Sequence, residues 1–143
     1  MDETVRQETA EMLTELLFRF YSAGQRQPRV SAGPKVHTHA FHVLYLLMHA
    51  HEKRLSLSFL LTELQVTKQQ LSKLLNELED LGFAARVRTE NDRRNVLLRL
   101  TDAGEQYFLE REQAVADRIA AFLDKFPAGK AEILHELLQQ LSA

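Results

Sequence analysis

The sequence predicts a mainly α-helical fold carrying one small β-hairpin. Three observations predict it. Apolar residues recur every three to four positions over most of the chain. Two short stretches, 83–88 and 95–100, alternate with period two instead. A Gly, a Pro or a capping residue marks each change of period.

The first helix is read over 3–21, with Met12, Leu13, Leu16, Leu17, Phe20 and Tyr21 at helical spacing. SAGQRQPRVSAGP then reads as a loop, and Pro34 suits the first turn of a second helix over 35–51. That helix is apolar almost all round in its middle, from Phe41 to Met48, which predicts burial. Leu55 reads as a short extended piece. Ser56 or Ser58 caps a short helix holding Phe59, Leu60, Leu61 and Leu64. Gln65-Val66 is a tight turn and Thr67 an N-cap. The next helix places Leu71, Leu74, Leu75, Leu78 and Leu81 on one stripe, and Gly82 stops it. Two helices about a short turn form a helix-turn-helix.

In the hairpin, Phe83, Ala85 and Val87 alternate with Ala84, Arg86 and Arg88, and Val96, Leu98 and Leu100 alternate with Asn95, Leu97 and Arg99. The apolar phase is expected to face the core, leaving Asn91-Asp-Arg-Arg94 as a projecting tip. Thr101 caps a long helix with Asp102 and Glu105 in its first turn, and Pro127-Ala-Gly129 breaks it. A last helix over about 130–142 carries Ile133, Leu134, Leu137, Leu138 and Leu141. The expected architecture is a winged helix-turn-helix core, 35–100, flanked by an N-terminal helix and loop, 1–34, and C-terminal helices, 101–143, in a single domain. The flanking helices carry more apolar surface than a monomer of this size covers. A second copy of the chain is the simplest cover, so they read as dimerisation helices.

The 143 residues are 45% hydrophobic and 27% charged, ordinary for a globular chain. No apolar run approaches the roughly 18 residues of a membrane span. The acidic opening MDETVRQETAEM is not a secretory signal, so a cytoplasmic location is expected. The absence of cysteine excludes disulfides, thiolate metal sites, a thiol redox switch and a cysteine nucleophile. No nucleophile-base pairing, phosphate loop or HExxH-type motif is present, which argues against an enzyme. No cofactor is expected.

The net charge is −2, yet Lys53 to Leu100 holds nine Lys/Arg against six Asp/Glu, a local balance of +3. The helix that starts at Thr67 exposes Lys68, Gln69, Gln70, Ser72, Lys73 and Asn76. Its acids, Glu77, Glu79 and Asp80, gather at the far end. That inverts the usual preference for acids at a helix N-terminus. A helix that meets phosphate with its N-terminus has a reason for the inversion, and these polar types also read base edges.

The stretch LLTELQVTKQQLSKLLNELEDLGFAARVRTENDRRNVLLRLTDAG, residues 60–104, resembles the MarR family of bacterial winged helix-turn-helix transcription regulators. Asp92-Arg93-Arg94 matches its wing motif, and Leu100-Thr101-Asp102-Ala103-Gly104 matches its turn into the long helix. The resemblance implies a homodimer on a pseudo-palindromic operator in double-stranded DNA. Thr67, Lys68, Gln69, Gln70 and Lys73 would face the major groove. Arg94 would enter the minor groove with Asp92 positioning it and Arg93 near phosphate, and Arg86 and Arg88 lie on the same wing. The resemblance also implies a small, often aromatic effector that relieves repression, with Phe20, Tyr21, Phe41, His42 and Tyr45 as candidate lining. Gln65 departs from the family, which often has Gly in that turn.

His37, His39, His42, His49 and His51 fall within fifteen residues. His39 and His42, at i and i+3, could grip one ion, but histidines at helix ends more often cap or hydrogen-bond, so no metal is expected. Two alternatives keep the fold: a zinc-responsive regulator, and a winged-helix module that binds protein rather than DNA.

Overall fold

The computed structural model describes the backbone of residues 1–26, 33–36, 38–89 and 92–143; the side chains of 23–26, 89 and 92–94 lie outside the description. The described elements are α1 (Glu3–Arg26), α2 (His39–Met48), β1 (Arg54–Ser56), α3 (Leu57–Leu64), α4 (Lys68–Asp80), β2 (Ala84–Thr89), β3 (Asp92–Leu100), α5 (Asp102–Leu123) and α6 (Lys130–Leu141). They fall into two compact units, residues 1–108 and 109–143.

The first unit holds the core. Val43, Leu44 and Leu47 of α2, Leu60 of α3, Leu75 and Leu78 of α4 and Leu98 of β3 are almost wholly excluded from solvent. Each contributes about 1.5–3 kcal/mol through burial. The strands form an antiparallel sheet in the order β1-β3-β2. Arg54 to Ser56 pair with Arg99 to Leu97, and Ala84 to Arg88 pair with Leu100 to Val96. A register irregularity follows at Arg88–Thr89, beyond which Thr89 pairs with Asp92. The extended piece expected around Leu55 is therefore a third strand.

Several boundaries differ from expectation. The first helix does not stop at Tyr21 but runs to Arg26, because one Gly among good helix formers costs only about 1 kcal/mol. The second helix begins at His39, not 35. Thr38 caps it, its hydroxyl accepting from the Phe41 N–H at 3.3 Å, and Pro34 lies in the approach instead of the first turn. The helix ends at Met48, and a 3-10 turn, His51–Lys53, leads into β1. Asp92-Arg93-Arg94, expected in the hairpin tip, begins β3. Between Pro127 and α6, Gly129 adopts φ 82°, a left-handed conformation that suits glycine.

Strand β3 turns Leu98 and Leu100 to the core as expected, but β2 packs in the opposite phase. Ala84 is buried, and Ala84, Arg86 and Arg88 stand across from Leu100, Leu98 and Val96 on one face of the sheet. Phe83 and Ala85 are only partly buried. The physical reason is a pair of groups on α4 that receive Arg86, described below.

The hairpin is fastened to α5 by backbone. The Thr101 N–H donates to the Phe83 carbonyl at 3.0 Å, and the Thr101 hydroxyl donates to the Gly82 carbonyl at 2.6 Å while accepting from the Gly104 N–H at 3.0 Å. One turn on, the Tyr107 ring stacks on Phe83 at 4.6 Å and its hydroxyl donates to the Pro34 carbonyl at 2.7 Å. Lys53 and Glu105 add an ion pair at 2.6 Å.

Candidate nucleic-acid interface

Local chemistry builds the helix pair. The Ser56 hydroxyl accepts from the Phe59 N–H at 3.1 Å, so Ser56 and not Ser58 caps α3. Gln65 ends α3 in the left-handed region, φ 53°. A side chain there is strained, and the residue persists because the helices on both sides fix the turn. Thr67 then opens α4 with a capping box. Its hydroxyl accepts from the Gln70 N–H at 3.1 Å, and the Gln70 side-chain oxygen accepts from the Thr67 N–H at 2.9 Å.

The face of α4 divides as its sequence requires. Leu71, Leu75 and Leu78 are buried. Thr67, Lys68, Gln69, Gln70, Ser72, Lys73 and Asn76 are all exposed, and the first turn holds no acid. Thr67 and Gln70 spend an oxygen each on the cap; the Gln70 amide NH2 stays available to a ligand.

On the wing, Arg86 and Arg88 have different surroundings. The Arg86 Nε lies 3.0 Å from Glu79 Oε1, and its Nη2 donates to Asn76 Oδ1 at 3.3 Å. Arg86 and Asn76, both expected at the DNA, are thus bound to each other. Arg88 is exposed and makes no ion pair among the described residues. The expected roles of Asp92, Arg93 and Arg94 fall on side chains outside the described part.

An open groove of about 570 Å3 lies among α3, which contributes Leu57 and Leu61, α4 and the wing. Its apolar floor includes Leu71, Leu75 and Val96. Lys68 and Ser72 stand on one wall, Arg86 and Arg88 on the other. The fold thus brings together four of the residues singled out in the sequence. What sequence reasoning missed is Glu79: it is visible as one of three acids ending α4, but its partner emerges only from the hairpin register.

The candidate effector residues do not line this groove. Phe41 belongs to the core and stacks on Phe108 at 5.4 Å. His42 and Tyr45 are exposed on α2, their rings 6.2 Å apart, with His49 4.6 Å beyond Tyr45. Phe20 is partly buried and Tyr21 exposed on α1. Among the described residues no three His, Cys, Asp or Glu side chains gather to hold a metal, which leaves His39 and His42 without a third ligand there. His37 lies outside the described residues.

Residues 35–95 match the family model described as the MarR family. The HTH-type transcriptional regulator FarR of Neisseria gonorrhoeae is 31% identical over 77 residues, 54% of this chain and 53% of that protein. The match thus spans about half the length of that curated relative. Among solved structures, a MarR family protein from Bacillus stearothermophilus superposes with a TM-score of 0.76 at 20% identity, covering 99% of this chain and 96% of that one. Streptococcus pneumoniae FabT, solved in complex with DNA, gives 0.69 at 24% identity, covering 96% and 94%. At these identities the solved structures speak for the fold. The family model, the curated relative and the fold agree: over residues 35–95 this chain is similar to the MarR family, and its fold is that of the MarR family structures.

Proposed function

We propose that this chain is a sequence-specific DNA-binding transcription regulator that works as a homodimer, a repressor relieved by a small effector. The family is one of transcription regulators, not enzymes. The observation that carries the reading is the exposed, acid-free first half of α4, standing across one groove from the arginines of the wing. Such a helix end, with free N–H groups and cations beside it, attracts phosphate, and its Gln, Ser and Lys side chains suit base edges in a major groove. The DNA held by the FabT structure supports the same reading. Arg93 and Arg94, at the outer end of β3, suit a narrow minor groove. The dimer is supported by apolar side chains exposed on α1, among them Met12, Leu13, Leu17 and Phe18, and on α6, Leu137, Leu138 and Leu141. Within this reading the effector is small and aromatic, with the α2 and α1 aromatics as its candidate lining.

The test is selection of bound duplexes from a random pool, with Arg94→Ala in parallel. Wild type is expected to enrich a pseudo-palindrome with half-sites about 10 bp apart. Its log K should fall with log[salt] by about 0.9 per phosphate neutralised. The variant should bind that duplex far more weakly. A dimer that shows no salt-sensitive binding to any duplex would refute the reading and favour a protein-binding module.

A further inference from the structure

We infer that Arg86 is a positioning residue that fixes the wing against the recognition helix, and that Glu79 is its anchor; this rests on the DNA-binding reading above. Arg86 pairs with Leu98 in the hairpin register, so its side chain shares a sheet face with a core leucine. From there the guanidinium spans to α4, its Nε 3.0 Å from Glu79 Oε1 and its Nη2 donating to Asn76 Oδ1. Asn76 and Glu79 are three residues apart, adjacent on one face of the helix. Among the described residues no other side-chain hydrogen bond or ion pair joins α4 to the hairpin. Toward the start of α4 the two elements part, and the groove of about 570 Å3 opens between them. The Arg86 contact therefore sits where the groove closes and sets the spacing between helix and wing.

The alternative is that Arg86 is an ordinary phosphate contact, and the surroundings of Glu79 decide against it. Glu79 Oε1 is buried and has no hydrogen bond, so the Arg86 guanidinium is its compensation. Drawing Arg86 away to a phosphate would leave that buried oxygen without its cation, a cost the phosphate contact would have to offset. Glu79 itself is otherwise hard to explain. An acid in the last turn of a helix opposes the helix dipole, and an acid on a DNA-facing element repels phosphate. Both costs are accepted where the carboxylate receives Arg86.

That conflict supplies the test. Glu79→Ala removes a negative charge and improves helix propensity, so local electrostatics predicts equal or tighter DNA binding. A strut predicts weaker binding. The full chain and its Glu79→Ala, Arg86→Gln and double variants are titrated with the wild-type-selected duplex across a salt series. Each single variant is expected to lose about tenfold in affinity, and the double no more than the worse single, as coupled neighbours do. The salt slope should not change. In the free proteins, amides of residues 84–88 should exchange faster in both single variants. The inference is overturned if Glu79→Ala binds as well as wild type or better, if Arg86→Gln lowers the slope by about 0.9, or if hairpin exchange is unaltered. Should Arg86→Gln unfold, Arg86→Lys keeps the charge while its single ammonium cannot span Glu79 and Asn76; it is expected to show a partial loss. If wild type binds no duplex, the functional reading fails, and the exchange measurement still decides whether the strut holds the hairpin.

Discussion

At position 104 a single methyl group decides whether the hairpin can close on α5. A Cβ on Gly104 would lie 2.1 Å from the Phe83 carbonyl oxygen and 2.8 Å from Leu100 Cδ1. The first of these is backbone and cannot swing aside. Gly104→Ala is therefore expected to destabilise the protein by about 2–3 kcal/mol, read as a lower urea midpoint at unchanged slope. A midpoint equal to wild type would show that α5 can shift without cost. This glycine was visible in the sequence as part of a motif, but its reason was not. Position 86 was misread for a different reason. Phe83-Ala84-Ala85 is apolar in both phases of a strand, so alternation alone could not say which phase faced inward. The polar Arg86 looked outward until a partner on another element was seen, and an arginine stem lies readily along apolar surface.

Element cores were more legible than element ends. The leucine stripe of α4 and the N-caps at Thr67 and Thr101 were readable, and the cap of α3 was narrowed to Ser56 or Ser58, because burial and capping chemistry are local and repeat with the helix. Helix ends were not, since a glycine at 24 is tolerated and a proline at 34 can stand in an approach as well as in a first turn. The capping box of α4 yields a prediction at this scale. Thr67→Ala removes the hydroxyl that receives the Gln70 N–H and should lower stability by about 1 kcal/mol. Thermal unfolding would show it as a lower midpoint, and Thr67→Ser, which restores the acceptor, should recover most of the loss. No recovery with serine would mean that the threonine methyl, not the cap, was what mattered.

For the whole molecule, α1 and α6 each carry exposed apolar side chains. Leu17 is 71% exposed and Leu141 81%, far more than isolated surface leucines need. If these faces cover each other in a homodimer, Leu17→Asp should yield monomers in sedimentation at micromolar concentration and abolish binding to a two-half-site duplex. A dimer that survives both Leu17→Asp and Leu137→Asp would move the interface elsewhere. The sheet order has a consequence of its own. Strand β3 is nine residues long, yet β1 grips it only at Leu97, Leu98 and Arg99. Its outer stretch is held by β2 alone. The strand is thus flanked on both sides at its root and on one side beyond it. The change from two neighbours to one falls between Leu97 and Val96, at the inner edge of the wing.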